Sequence, residues 1–234
     1  MSDTPHKITV VPYNPLTSHH LGESVRRALL EQSCYPLGEI PSFDGAGVYA
    51  IYCHGGSPYY TPIAEQNHDG CKAPIYVGKA VPPGSRKGID VGSAGRTLYR
   101  RLREHADSIR AVSNPGTPGH LDIADFRCRF LVVEEVWIPL IESLSITSFK
   151  PLWNGCIDGF GHHNQGAARR GQQRPFWDTL HPGRAWAKMV RPNRLSVDQI
   201  AKRLQEYYVD PAARPKRGAR REPDERDVDS DAGN

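Results

Sequence analysis

Three clusters of glycine and proline, Gly55-Gly56-Ser57-Pro58, Val81-Pro-Pro-Gly-Ser85 and Asn114-Pro-Gly-Thr-Pro-Gly119, cut the chain into short segments. Proline removes an amide donor and fixes φ, and glycine favours turns, so neither a long helix nor a long strand crosses such positions. The 22 glycines and 20 prolines in 234 residues thus punctuate short elements, and the chain shows no internal repeat. One domain of short strands and helices, with a single sizeable core and appendages, is expected.

The segments between the clusters have readable periods. Leu21, Val25, Ala28 and Leu29 recur at helical spacing behind Thr17 and Ser18, either of which can cap the helix. Gly47-Val-Tyr-Ala-Ile-Tyr52 and Pro74-Ile-Tyr-Val-Gly78 are predicted strands, joined by a long solvated insertion. Leu98, Leu102, Ala106 and Ile109 share one helical stripe. Phe126, Cys128, Phe130 and Val132 alternate as in a strand buried mainly on one face. Ile138 to Phe149 is a predicted helix with Pro139 in its first turn, and Ser196-Val-Asp-Gln199 opens a last helix through Ile200, Leu204 and Tyr208. From Pro211 to Asn234 six basic and six acidic residues alternate with almost nothing apolar, a composition expected to stay disordered.

Thirty Lys and Arg against 26 Asp and Glu give a net charge of +4, which permits a polyanionic partner without requiring one. No run approaches the roughly 20 apolar residues of a membrane span, and the N-terminus lacks a secretory h-region, so a soluble cytoplasmic protein is expected. The cysteines, Cys34, Cys53, Cys71, Cys128 and Cys156, are odd in number and form no C-x-x-C pair, which reads as packed or idle thiols. His19-His20 and His162-His163 have no partner at zinc-module spacing.

Chemistry gathers around two tyrosines in the short strands, Tyr49 and Tyr76. Each alone is an ordinary strand tyrosine. Arg101 and His105 are four apart on the next helix; His105 falls about 20° and Arg101 about 60° from Leu98, so both border the buried stripe rather than the solvated side. Glu142 is the only acid in the apolar window Ile138 to Leu152, whose side chains surround the helix nearly all the way round. A buried carboxylate needs a cation, a strong donor or a proton. A core salt bridge, with Arg101 for example, and a metal ligand are both open from the helix alone.

In this order Gly47-Val-Tyr49, Tyr76-Val-Gly78-Lys79, Arg101-x3-His105, Glu142 and Phe149-Lys-Pro-Leu-Trp-Asn154 resemble the GIY-YIG nuclease superfamily. Two features depart from many members: His105 stands where a tyrosine is common, and 27 positions separate Tyr49 from Tyr76. Both resemble the type II restriction endonuclease branch that reads CCGCGG. So do Asp125-Phe-x-Cys-Arg-Phe130, Asp158-Gly-Phe-Gly161 and Trp177-Asp-x-x-His-Pro-Gly-Arg184.

The resemblance implies an α/β (α+β) GIY-YIG fold, a small antiparallel sheet flanked by helices, with DNA-recognition additions. It implies a catalytic set of Tyr49, Tyr76, Lys79, Arg101, His105, Glu142 and Asn154. Glu142 would hold one Mg²⁺, which Mn²⁺ can replace; Arg101 would face the phosphate; Tyr76 would orient it or the water; Asn154 would fix the site from behind. Tyr49 would be the general base. Its unperturbed pKa near 10 suits neutral pH poorly, so either Mg²⁺ and Arg101 favour the phenolate or His105 accepts the proton, and Lys79 is a rival base.

From His162 to Arg194 seven basic residues stand against one acid, Asp178, with amides and aromatics interleaved. Arg169, Arg170, Arg174, His181 and Arg184 are therefore candidate DNA contacts, as are Arg86 and Lys87, although a solvated basic face and a structural Arg184 are the plain alternatives. The expected organisation is a helical extension at 1–44, a nuclease core at 45–155, a recognition arm with the last helix at 156–210, and a charged tail at 211–234. The expected partners are double-stranded DNA, a second copy related by two-fold symmetry, and a cognate DNA methyltransferase in a bacterial host. A repair or homing nuclease and a catalytically silent DNA-binding module are the competing functions.

Overall fold

The computed structural model describes residues 16–82, 95–162 and 172–210. Its centre is β2 (Gly47–Cys53), a strand whose seven residues are all buried. Burial on both faces requires cover on both, and the antiparallel sheet has it. The order is β1 (Tyr35–Pro36), β4 (Phe126–Val132), β2 and β3 (Tyr76–Ala80).

Side chains alternate along β2, as a strand's period of two demands. Tyr49, Ile51 and Cys53 join the main core, with Leu98, Leu102, Ala106 and Ile109 of α3 (Thr97–Arg110) beneath them. Ala50 and Tyr52 face Leu29 of α1 (Ser18–Leu30) and Ile146 and Phe149 of α4 (Ile138–Phe149). The local signals read from the sequence sit where they should. Thr17 caps α1, Pro139 lies in the first turn of α4, and Ser196 and Gln199 close a full capping box on α7 (Val197–Val209). No described helix is long and apolar enough to cross a membrane.

Four expectations change. The insertion after β2 is not simply solvated: it carries α2 (Thr61–Gln66) and buries Tyr60, Ile63 and Ile75. Asn67 organises it, its buried amide donating to the carbonyls of Cys53 (3.0 Å) and Ala73 (2.9 Å) and accepting from the amides of Lys72 (2.9 Å) and Ala73 (2.8 Å). A side chain with every polar group satisfied replaces the ladder that a tight hairpin would have provided.

Second, α4 is half buried rather than enclosed. It packs on α1 and β3, leaving Leu140 43% exposed beside Trp137 and Val136. An apolar surface all round a helix does not guarantee cover all round it. Third, two of the five cysteines are bonded: Cys34 and Cys71 form a disulfide, 37 residues apart, with Cα atoms 6.7 Å from one another. Tertiary folding brings them together, which spacing along the chain cannot reveal. Cys53, Cys128 and Cys156 are buried free thiols, as expected.

Fourth, described residues after 155 pack into the core. Trp177 and Leu180 of α6 (Phe176–Leu180) and Ile200, Leu204 and Tyr207 of α7 enter the cluster that holds Tyr49. The charged tail lies outside the described residues.

Candidate active site

Antiparallel register sets the two tyrosines side by side. Tyr49 pairs with Gly78 and Ile51 with Tyr76, so the rings lie diagonally on the face covered by α3, centroids 6.2 Å apart. Gly78 is needed there, because any Cβ at that position would collide with the Tyr49 hydroxyl. From α3, His105 reaches up so that its Nε2 lies 2.6 Å from the Tyr49 hydroxyl, both residues being fully buried. His105 thus belongs to the buried stripe, not to its border. Its ring stacks on Phe160 at 4.6 Å and meets Tyr76 edge-on at 5.4 Å.

Arg101, one turn earlier, does border the stripe. Its guanidinium donates to the Gly161 carbonyl at 3.0 Å and pairs with Glu104 at 3.0 Å. Gly161 is also pressed against the Tyr76 hydroxyl, where a side chain would not fit. Asp158-Gly-Phe-Gly161 is therefore part of the site: Phe160 supports His105 and Gly161 anchors Arg101. The sequence offered this motif without a role.

Lys79 and Glu142 approach from the other side of the edge strand. Alternation along β3 turns Lys79 away from the tyrosine face, and its Nζ meets Glu142 of α4 at 2.7 Å. Of the two readings left open for Glu142, an ion pair is present, but its cation is Lys79 on the strand that α4 covers rather than Arg101. The side chains of Lys79 and Glu142 are 39% and 21% exposed, so the pair sits at the mouth of the site. Asn154, in α5 (Leu152–Gly155), acts like a missing neighbour strand. Its amide accepts from the Val77 N–H and donates to the Val77 carbonyl, each at 2.8 Å. That clamp fixes the backbone between Tyr76 and Lys79.

Burial dominates the electrostatics of the tyrosines. It pushes the Tyr49 phenol well above its ordinary value, with Tyr76 and Glu142 adding to the effect and Arg101 opposing it. Tyr76 is raised by burial as well, again against Arg101. Burial thus favours the neutral form of both phenols, and the Tyr49 hydroxyl shares its hydrogen bond with His105 Nε2 in the direction that the imidazole tautomer sets.

The sheet, the paired tyrosines, the Arg helix and the Glu helix coincide with a family model: residues 41–208 match the Eco29kI GIY-YIG domain. The chain belongs to that family of restriction-endonuclease domains. It is a nuclease. No curated protein matches the chain.

Within this GIY-YIG nuclease the candidate DNA contacts need correction. Arg184 is not a base reader. Its guanidinium is buried, bonded to both Asp178 carboxylate oxygens (2.7 and 2.5 Å) and to the carbonyls of Gly159 (2.8 Å), Phe160 (3.1 Å) and His162 (2.9 Å), over the Trp177 ring. It ties down the loop that presents Phe160 and Gly161. His181 is fully buried: Nδ1 donates to the Gly119 carbonyl, so Nε2 accepts from the Tyr60 hydroxyl, both at 2.5 Å. Burial drives its pKa down to about 4. Neither side chain has a face left for DNA. Arg174 is half-buried and spends its Nε on the Ala187 carbonyl at 2.9 Å. Arg86, Lys87, Arg169 and Arg170 lie outside the described residues.

Proposed function

We propose that the protein is a type II restriction endonuclease that hydrolyses both strands of double-stranded DNA at a palindromic GC-rich site, CCGCGG, in a Mg²⁺-dependent reaction. The observation that carries this reading is the convergence of Tyr49, His105, Tyr76 and Arg101 on one side of β3 with Lys79 and Glu142 on the other.

Phosphodiester hydrolysis needs a deprotonated water, stabilised charge at phosphorus and help for the leaving oxygen. Tyr49 takes the water's proton as its own hydroxyl proton passes along the 2.6 Å hydrogen bond to His105. A relay suits a phenol held neutral by burial, since no free phenolate has to accumulate. Arg101, held by the Gly161 carbonyl, presents its remaining donors to the phosphate, and Tyr76 orients the water or a phosphate oxygen. Lys79 balances Glu142 and contacts phosphate rather than serving as base.

Glu142 suits a hard cation: its carboxylate is partly exposed, and Lys79 engages one oxygen among the described residues, so the other would hold the ion. Glu142 would be the one protein carboxylate of a site for Mg²⁺, or for Mn²⁺ in its place. When bound, the ion offsets the developing charge on the phosphate and the leaving oxygen.

Cutting a palindrome on both strands calls for a two-fold homodimer, and a cognate methyltransferase is the system partner that spares host DNA in the cytoplasm. Digestion of a sequenced plasmid in Mg²⁺ or in EDTA, with mapping of the ends, tests the proposal. Double-strand ends at CCGCGG in Mg²⁺ alone are expected. Binding without cleavage would make the protein a silent DNA module, and scattered nicks would make it a repair-type enzyme.

A further inference from the structure

Beside the site, a cleft of about 400 Å³ is lined by Lys79, Thr97, Arg100, Arg101 and Glu104. Three of these are cations and one is an acid. Two of the cations are already engaged, Lys79 by Glu142 and Arg101 by Glu104. Arg100 differs: it is exposed, and no ion pair holds it among the described residues. Glu104, four residues on and therefore its natural helical partner, is turned to Arg101 instead.

We propose that this cleft seats a second phosphate of the cleaved strand, next to the scissile one, and that Arg100 holds it. The proposal rests on the nuclease reading above. Successive helix positions diverge by about 100°, so Arg100 approaches the cleft from a different side of the helix than Arg101 and is placed for a separate phosphate. Both line the cleft, but Arg101 is tied to the Gly161 carbonyl and Glu104, whereas Arg100 has no such tie among the described residues. A planar guanidinium that no ion pair holds among the described residues, in a concave wall with two further cations, is matched to the paired oxygens of a phosphodiester. The neighbouring phosphate gripped in this way sets the register of the strand, so that the scissile group arrives at Tyr49 and Arg101.

The test uses duplexes bearing the mapped cleavage site, each with one phosphate replaced by an uncharged methylphosphonate, titrated in EDTA. Wild type, Arg100→Ala and Arg103→Ala are compared; Arg103 is a cation on the same helix that does not line the cleft. In the wild type, one methylphosphonate within two phosphates of the cut should weaken binding about tenfold, the loss of one charge-assisted contact. Arg100→Ala should lose about as much on unmodified duplex, become indifferent to that one substitution, and lower the salt slope by about one. Arg103→Ala should keep the wild-type sensitivity. An Arg100→Ala protein that retains the wild-type response at every position overturns the cleft assignment and leaves the nuclease intact. Coupling of Arg100 to a phosphate farther from the cut overturns it equally. A wild type that cuts no duplex removes both readings.

Discussion

The hydroxyl of Tyr49 lies 2.6 Å from Nε2 of His105, and neither side chain reaches solvent. A phenol on a strand and an imidazole on a helix, both desolvated, form one proton-handling unit. Burial raises the phenol, which in the proposed mechanism would keep its proton in the hydrogen bond until the water attacks.

Tyr49→Phe should therefore preserve fold and DNA affinity while lowering single-turnover cleavage by about 10² to 10⁴, the usual weight of a general base. Lys79→Met is the companion, expected to keep cleavage within about tenfold of wild type. If Lys79→Met is the dead variant and Tyr49→Phe still cuts, Lys79 is the base.

The order of the elements that carry the site was legible in the sequence because each has a local signature: β-branched and aromatic strands, a helical stripe behind Arg101, a capping box at Ser196. Partnership was not. Charge counts between His162 and Arg194 suggest a DNA-reading arm, yet Arg184 is consumed by Asp178 and three carbonyls. A lone Glu142 demanded a partner, but only the register of β3 shows that it is Lys79. Asn67 and the Cys34–Cys71 link join segments that only the tertiary fold brings together.

Arg184→Met should destabilise the protein by about 3–5 kcal/mol, because it leaves the Asp178 carboxylate buried without its cation. Chemical denaturation measures the loss. Arg184→Met combined with Asp178→Leu should recover much of it, and a double variant no better than the single one would contradict the pairing argument.

His181 sets a pH dependence. Its folded pKa is about 4, below the roughly 6.5 of the unfolded chain, so between these values the unfolded state binds the extra proton. Its stabilising contribution is fully present above about pH 6.5 and falls as pH drops toward 4, by at most about 1.4 kcal/mol per unit. Comparing urea midpoints at pH 7 and pH 5, His181→Gln should show a smaller difference between the two pH values than wild type. Equal differences would place the acid sensitivity elsewhere.

Denatured without reductant, the protein should expose three alkylatable thiols, and five after reduction, since Cys34 and Cys71 are joined. Closing a loop of this length contributes about 4 kcal/mol by the chain-entropy argument, so Cys34→Ser should lower the melting temperature by several degrees. Five thiols without reductant would refute the bond.

The most direct test of the account is Glu142→Gln, assayed by single-turnover cleavage in Mg²⁺ alongside DNA binding in EDTA. The substitution keeps the side chain's shape and removes the charge that suits the ion and pairs with Lys79. The account predicts binding within about twofold of wild type and cleavage reduced by about a thousandfold or more. Cleavage within tenfold of wild type would contradict it and leave Glu142 as no more than the ion-pair partner of Lys79.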